Sequence, residues 1–163
     1  MSIDRRTFVG AALLAAGGTG CSSGKWRFFT DEEARTVEAI CEQLIPADRD
    51  PGARDAGVVN YIDIQLTRHF RKHQNTYRRG IAGVDTASRK KFGKRFVELP
   101  ADSQIEVLNG TEENSKTFFE LILAHSRQGF YGDPRHGGNR NMASWKMLGL
   151  PCPPVRGRER YSG

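Results

Sequence analysis

The sequence predicts an all-α fold: one small helical domain of about five helices, with a long glycine-rich ordered loop near the C-terminus and an export signal in front. Apolar residues recur at steps of three and four along most of the chain, and no segment of strand length alternates apolar with polar residues. Residues that typically begin or end helices flank these apolar segments. A chain of 163 residues has room for one core.

The composition excludes a disordered chain and a membrane-spanning one. Hydrophobic residues make up 37% of the sequence, and there are 18 glycines, which together lie in the range of globular proteins. No apolar run approaches the length of about 20 residues that a spanning helix requires. The formal net charge of +6 is compatible with an anionic partner and equally with a solvated basic surface.

The N-terminus has the layout of an export signal. Arg5 and Arg6 stand directly before an apolar run that starts at Phe8, and small residues follow it. The pair of arginines, the phenylalanine and the weakly hydrophobic, alanine-rich run resemble a twin-arginine (Tat) signal. An amphipathic surface helix is the alternative, but the run has no polar face. We expect a signal peptide over residues 1–20, a linker over 21–29, the helical domain over 30–155 and a tail over 156–163.

Cys21 follows the small residues of the signal and precedes two serines and a glycine. A lipid-modified cysteine at a mature N-terminus has this setting, although Gly18 replaces the aliphatic residue usual three positions earlier. An ordinary cleavage site between small residues fits the same stretch. Both interpretations stay open, and under either one the chain would meet a membrane only through a lipid anchor or its partners.

The remaining cysteines, Cys41 and Cys152, could form a disulfide if the chain is exported to an oxidising compartment. Such a bond would close a long loop and contribute roughly 2–4 kcal/mol. Two buried thiols are the equal alternative, because Cys41 falls on the apolar face of a predicted helix.

The first two helices are predicted from a cap and from apolar spacing. Thr30 and Glu33 match the capping box, so a helix begins there and is ended by Pro46. The proline-, glycine- and aspartate-rich residues 46–57 predict a turn-rich loop. A second helix follows from apolar residues spaced by four, namely Val58, Ile62, Leu66 and Phe70.

Three further helices follow. One carries Tyr77, Ile81 and Val84 and ends in the basic run 89–91. Cations at a helix C-terminus are stabilised by the helix dipole, so a solvated basic face is favoured over a phosphate-binding site. The fourth helix begins after Pro100 and is expected to stop at Asn109-Gly110. The last is expected to be capped by Ser115 and to end at Gly129. The candidate core residues of the fourth helix are Ile105, Val107 and Leu108.

The strongest local signal is the segment GFYGDPRHGGN, residues 129–139, followed by RNMASWKMLGLP. Four glycines in eleven residues predict turns or close backbone contacts, and the large side chains are of types favoured at protein contacts. Two interpretations of this segment are equally favoured. One is a loop packed on its own domain, with Trp145 completing the core, and the other is a contact with another subunit. The candidate partner-binding residues are Phe130, Tyr131, Asp133, Pro134, Arg135, His136, Gly137, Gly138, Asn139 and Trp145.

Motifs for common chemistry are missing. The aspartates of residues 48–55 lack the glycine and glutamate of a calcium loop, and His69 and His73 lack the glutamate of the zinc motif H-E-x-x-H. No nucleotide-binding glycine motif, nucleophile elbow or haem-attaching C-x-x-C-H is present. We therefore expect no catalytic, metal or cofactor site in this chain, and no nucleic-acid partner.

Several of these segments resemble the gluconate 2-dehydrogenase subunit 3 family. The resemblance rests on LIPAD (44–48) with its DPGA continuation, on DAGV (55–58) and above all on GFYGDPRHGGNRNMASWKMLGLP. It implies a non-catalytic small subunit that binds a large FAD-dependent dehydrogenase of the glucose–methanol–choline (GMC) type, often beside a cytochrome c subunit that carries haem c. It also implies a periplasmic complex associated with the inner membrane, in which the small subunit provides the Tat signal for its folded partner.

Two other classes compete with this interpretation. An independent exported enzyme would show its own turnover or a cofactor spectrum, and a periplasmic solute-binding or structural protein would be stable and monomeric without a large partner. The substrate of the implied complex, whether gluconate, glucose or another polyol, is a property of the large subunit.

Overall fold

Six α-helices build the domain in a computed structural model that describes residues 25–150. No strand occurs in that part of the chain, so the predicted all-α class is confirmed. The predicted signal (Arg5, Arg6, Phe8), Cys21 and Cys152 lie outside the described residues. The helices are α1 Asp31–Leu44, α2 Val58–Leu66, α3 Gln74–Phe92, α4 Ala101–Asn114, α5 Lys116–Tyr131 and α6 Ala143–Met147.

The helix α5 is the centre of the packing, because it contacts each of the other five helices. Its apolar face faces those of α1, α2 and α3, and the side chains between them are fully or almost fully buried. They include Ile40 of α1, Ile62 and Leu66 of α2, Tyr77 of α3, and Phe118, Ile122 and Phe130 of α5. Burial of a large apolar side chain stabilises a fold by roughly 1.5–3 kcal/mol, so this layer is a major part of the driving force.

The start of α1 is formed as the sequence predicts. Thr30 accepts a hydrogen bond from the Glu33 amide, and the Glu33 carboxylate accepts one from the Thr30 amide. This reciprocal capping box satisfies two donors that the helix itself cannot pair. Because both partners lie within four residues, local sequence alone determines the contact.

Two predicted helix ends and one predicted core residue are wrong. The helix α4 passes through Asn109-Gly110 to Asn114, because a glycine facing solvent costs a helix only about 1 kcal/mol. The helix α5 continues past Gly129 to Tyr131. A Cβ at Gly129 would lie 2.9 Å from Cδ1 of Tyr61, so glycine is needed there for close packing against α2. Ile105 is 45% exposed, whereas Val107 and Leu108 are buried.

Two further predictions differ in detail. The helix α2 ends at Leu66, and Phe70 belongs to the turn that leads into α3. Ser115 occupies the cap position of α5, but its side chain makes no capping hydrogen bond; its carbonyl oxygen accepts from the Phe118 amide instead.

Residues 25–29, within the predicted linker, are held against α2 by Asp63. This carboxylate is 1% exposed and accepts hydrogen bonds from the backbone amides of Arg27, Phe28 and Phe29 at 2.7, 2.9 and 3.0 Å. Charge-assisted bonds of this kind are roughly twice as strong as neutral ones. The segment that precedes α1 is therefore a fixed part of the domain.

A polar cluster lies inside the helical layer, where Tyr77 and His125 share a hydrogen bond of 2.9 Å and Phe70 stacks on the imidazole at 3.7 Å. Burial, with a smaller contribution from His73, lowers the pKa of His125 to about 4. Burial likewise raises the pKa of the Cys41 thiol to about 12. Both groups are consequently uncharged at neutral pH and belong to the packing of the core.

Cys41 is buried, and its sulfur lies 3.2 Å from the hydroxyl oxygen of Ser126. Because the other predicted partner, Cys152, lies outside the described residues, the disulfide between them stays a prediction.

Candidate docking surface

The glycine-rich segment forms a loop over residues 132–142 between α5 and α6, with short 3₁₀ turns at Pro134–His136 and Arg140–Met142. Asp133 caps the first turn by accepting from the Arg135 amide at 3.0 Å. The loop packs along α2, where the Asn60 side chain donates to the Gly137 carbonyl at 2.7 Å and the Arg140 amide donates to Ala56 at 2.9 Å. One of the two alternatives, a loop packed on its own domain, is therefore observed.

Asn139 joins the two ends of the loop from inside. Its side chain is fully buried, donates to the Gly132 carbonyl at 2.9 Å and accepts from the Ser144 amide at 3.0 Å. Its backbone amide donates to the Gly129 carbonyl at 2.9 Å. One residue thus connects the end of α5, the start of the loop and the start of α6.

Strained backbone is concentrated in the same segment. Among the described residues other than glycine, Asn139, Asn141 and Met142 are those with positive φ, at 43°, 56° and 57°. Asparagine tolerates this conformation, but methionine does so at a cost of roughly 1–3 kcal/mol. Strain of this kind persists where surrounding contacts fix the chain, and it often occurs at functional sites.

An apolar patch lies beside this loop and is formed by Tyr131, Trp145, Leu148 and Leu150. Tyr131, Leu148 and Leu150 are 47%, 53% and 47% exposed, and Trp145 is half-buried. The indole N–H of Trp145 donates to the Tyr131 carbonyl at 3.0 Å, and the Leu150 amide donates to the Trp145 carbonyl at 2.8 Å. These bonds hold the two aromatic residues and Leu150 together at the C-terminal end of the described chain.

The exposure of this patch is unusual for the domain. Three of the four exposed large hydrophobic residues in the described part of the chain belong to it, and the fourth, Ile105, lies on α4. Scattered apolar side chains on a surface need no explanation, but clustered ones commonly mark an interaction site. Exposed Arg135, His136 and Lys146 lie in the same segment and would supply the polar rim typical of protein interfaces.

A cleft of about 480 Å³ lies between α6 and the loop that joins α1 to α2. Asp50 and Asp55 line it from one side, and Arg140 and Lys146 line it from the other. The Asp55 carboxylate also accepts the Gly52 amide at 3.2 Å, while Asp48 accepts the Asp50 amide at 2.8 Å. The aspartates therefore stabilise turns, and the cleft offers charges of both signs to a polar side chain.

The predicted partner-binding residues fall into two groups. Phe130, Gly138 and Asn139 are buried, and they shape the loop from within. Asp133, Pro134, Gly137 and Trp145 are half-buried, and Tyr131, Arg135 and His136 are exposed. Contact of these residues with a partner stays a prediction.

Sequence reasoning missed Leu148 and Leu150, which extend the patch beyond Trp145, and it missed the strained Met142. A sequence signal for the two leucines was present, because both are large apolar residues within five positions of Trp145. No local pattern marks Met142, because its conformation depends on Asn139 and α6.

The described residues contain no group of three or more histidine, cysteine, aspartate or glutamate side chains placed to hold a metal ion. Nor is any helix within residues 25–150 long and apolar enough to cross a membrane.

The sequence profile described as gluconate 2-dehydrogenase subunit 3 matches residues 31–151, well over half of the chain. The chain belongs to the gluconate 2-dehydrogenase subunit 3 family. The match begins at the first residue of α1 and includes all six helices and the glycine-rich loop. No curated protein and no solved structure gave a match. The family is described as a subunit of gluconate 2-dehydrogenase, and this description is consistent with an accessory subunit.

The close approach of the loop to α5 gives a first test. A Cβ at Gly138 would overlap the Gly129 carbonyl oxygen, which is also the acceptor of the Asn139 amide. We expect Gly138→Ala to lower the free energy of unfolding by about 2 kcal/mol, measured by urea denaturation.

Gly83→Ala is the matched control, because Gly83 lies in α3 with no atom near the added methyl group. This change should stabilise the protein by up to about 1 kcal/mol. Equal effects of the two substitutions would show that the contact between the loop and α5 is not tight.

Proposed function

We propose that this chain is the non-catalytic small subunit of a gluconate or other sugar dehydrogenase complex, and that its apolar patch binds a large FAD-dependent subunit of the GMC type. FAD would belong to that subunit, and haem c to a cytochrome c subunit of the same complex. Family membership supports the assignment to such a complex. The observation that carries the docking role is the exposure of Tyr131, Leu148 and Leu150 beside a strained, internally fixed loop.

The physical basis of docking is burial of the patch. Interfaces derive most of their energy from a few central aromatic or apolar side chains surrounded by polar ones. Trp145 suits the centre of such an interface, because its indole already donates to the Tyr131 carbonyl and little of its side-chain entropy remains to be lost on binding. The Tyr131 ring lies beside it and packs edge-on against Phe130. The cleft beside α6 would receive a polar side chain of the partner.

The interior of the domain supports an accessory role. His125 and Cys41, which are chemically versatile residue types, are buried and uncharged at neutral pH. Neither lines a described cleft beside the patch. In the proposed complex, the oxidation chemistry belongs to the large subunit, and this chain supplies a binding surface.

We further propose that the chain carries its partner to the periplasm through the Tat pathway. A flavoprotein folds around its cofactor in the cytoplasm, and the Tat route accepts folded cargo. Binding at the patch would therefore precede export, and the twin-arginine signal of this chain would serve both subunits. In the periplasm, the complex would be associated with the inner membrane.

The docking role is tested by Leu148→Asp. This side chain is 53% exposed, so the substitution leaves the core intact, but it would place an unpaired charge in the interface. We expect at least a tenfold loss of affinity. The measurement is the yield of flavin, read by absorbance, that co-purifies with the tagged chain from the native host.

Ile105→Asp provides the control, because Ile105 is 45% exposed on α4 and undergoes the same chemical change. It should retain the flavin-containing partner at the wild-type yield. Retention of flavin by Leu148→Asp together with its loss by Ile105→Asp would assign docking to α4 instead.

The export role is tested by Arg5→Lys combined with Arg6→Lys. If this chain provides the only signal for the complex, both subunits should remain in the cytoplasm, and periplasmic dehydrogenase activity should fall to background. The control is Arg79→Lys with Arg89→Lys, two exposed arginines outside the signal. Unchanged periplasmic activity in the Arg5/Arg6 variant would remove the co-export role while leaving the docking role intact.

A further inference from the structure

The turn that joins α2 to α3, residues 67–73, concentrates positive charge. It contains Arg68, Arg71 and Lys72 together with two histidines. The wider segment of residues 64–84 includes five lysines and arginines and no aspartate or glutamate. Since the whole chain has a net charge of +6, a large part of its excess charge lies in this short region.

These cations are not neutralised by the domain itself. Arg68, Arg71 and Lys72 are exposed, and none forms a salt bridge with an acidic side chain of the described residues. The basic stretch at the end of α3 differs, because Lys91 there pairs with Glu106. The charge of the turn is therefore available to a ligand.

The turn is also held rigidly. The Gln74 side chain donates to the Leu66 carbonyl at 2.9 Å, and the Arg71 amide donates to Arg68 at 3.2 Å. Between the cations, the Phe70 ring stacks on His125 of α5 at 3.7 Å. The arginine and lysine side chains thus extend from a fixed base, which reduces the backbone entropy that binding would cost.

Another exposed cation, Arg27, lies at the same end of α2, and exposed Lys25 precedes it by two residues in the chain. Asp63, in the last turn of α2, holds the Arg27 amide at 2.7 Å, and the basic turn begins four residues later. Neither Lys25 nor Arg27 forms a salt bridge within the described residues. We call this surface the basic corner: Lys25, Arg27, Arg68, Arg71 and Lys72.

We propose that the basic corner contacts an anionic phospholipid surface. Its cations are spread over two chain segments, and no described cleft is lined by the residues of the turn. That arrangement suits a diffuse, planar array of negative charge better than a single phosphate ion. The apolar patch is formed by other residues, at the end of α5, on α6 and directly after α6, so docking of a protein partner there leaves the basic corner free.

The position of the basic corner favours a membrane over an acidic protein. Three residues separate Cys21 from Lys25, and a chain of that length spans at most about 14 Å. If Cys21 is lipid-modified, the corner would lie at the bilayer surface. One acyl modification usually needs a second signal, such as a basic patch, for stable membrane binding.

The test measures partition of the full chain onto vesicles of phosphatidylcholine with and without 30% phosphatidylglycerol, a composition of about one anionic lipid in three. We expect binding that requires phosphatidylglycerol and weakens with added salt. The triple variant Arg68→Gln, Arg71→Gln and Lys72→Gln should lose roughly a hundredfold in partition, since each cation near such a surface contributes about a factor of five.

The matched control is Arg89→Gln, Lys90→Gln and Lys94→Gln, which removes the same charge from three exposed residues without salt bridges. It should lose far less partition than the turn variant. Equal losses in the two variants, or wild-type binding that ignores phosphatidylglycerol, would overturn the proposal. If the turn variant keeps its vesicle binding but loses its flavin-containing partner, the basic corner belongs to a protein interface.

Discussion

Asn139 determines the shape of the surface on which the proposed function depends. The residue has a left-handed backbone and a fully buried side chain, and three of its hydrogen bonds reach the end of α5, the start of the loop and the start of α6. A buried amide with satisfied partners rigidifies its surroundings, whereas one with a missing partner is costly. By fixing the start of α6, Asn139 acts together with the bond from the Trp145 indole to the Tyr131 carbonyl to keep these two residues adjacent.

The apolar patch and the basic corner are separate surfaces that rest on the same pair of helices, α2 and α5. The helices α2 and α5 form the central contact, and the glycine-rich loop packs along α2 with the apolar patch beyond it. The basic corner begins where α2 ends and is tied to α5 through Phe70. Since both surfaces rest on the same buried layer, the chain could face a protein with one side and a charged bilayer with the other. A small accessory subunit would use its fold in this way.

Features that depend on neighbouring residues could be predicted from the sequence, and features that depend on distant ones could not. The capping box of α1 requires only Thr30 and Glu33, and the apolar spacing of α3 requires only its own residues. The continuation of α5 through Gly129 depends instead on Tyr61 of another helix. The three amides held by Asp63 come from residues more than thirty positions away. For the same reason, the motif of residues 129–139 indicated a candidate surface, but it did not distinguish buried Phe130 and Asn139 from exposed Tyr131.

Hydrogen–deuterium exchange of the chain, alone and bound to its flavin-containing partner, is the most direct measurement of the docking role. We expect binding to slow exchange in residues 131–150, which include the loop, α6 and the apolar patch, and to leave the segment around Ile105 of α4 unchanged. Protection confined to α4, or exchange in residues 131–150 that binding does not alter, would contradict the assignment of this surface.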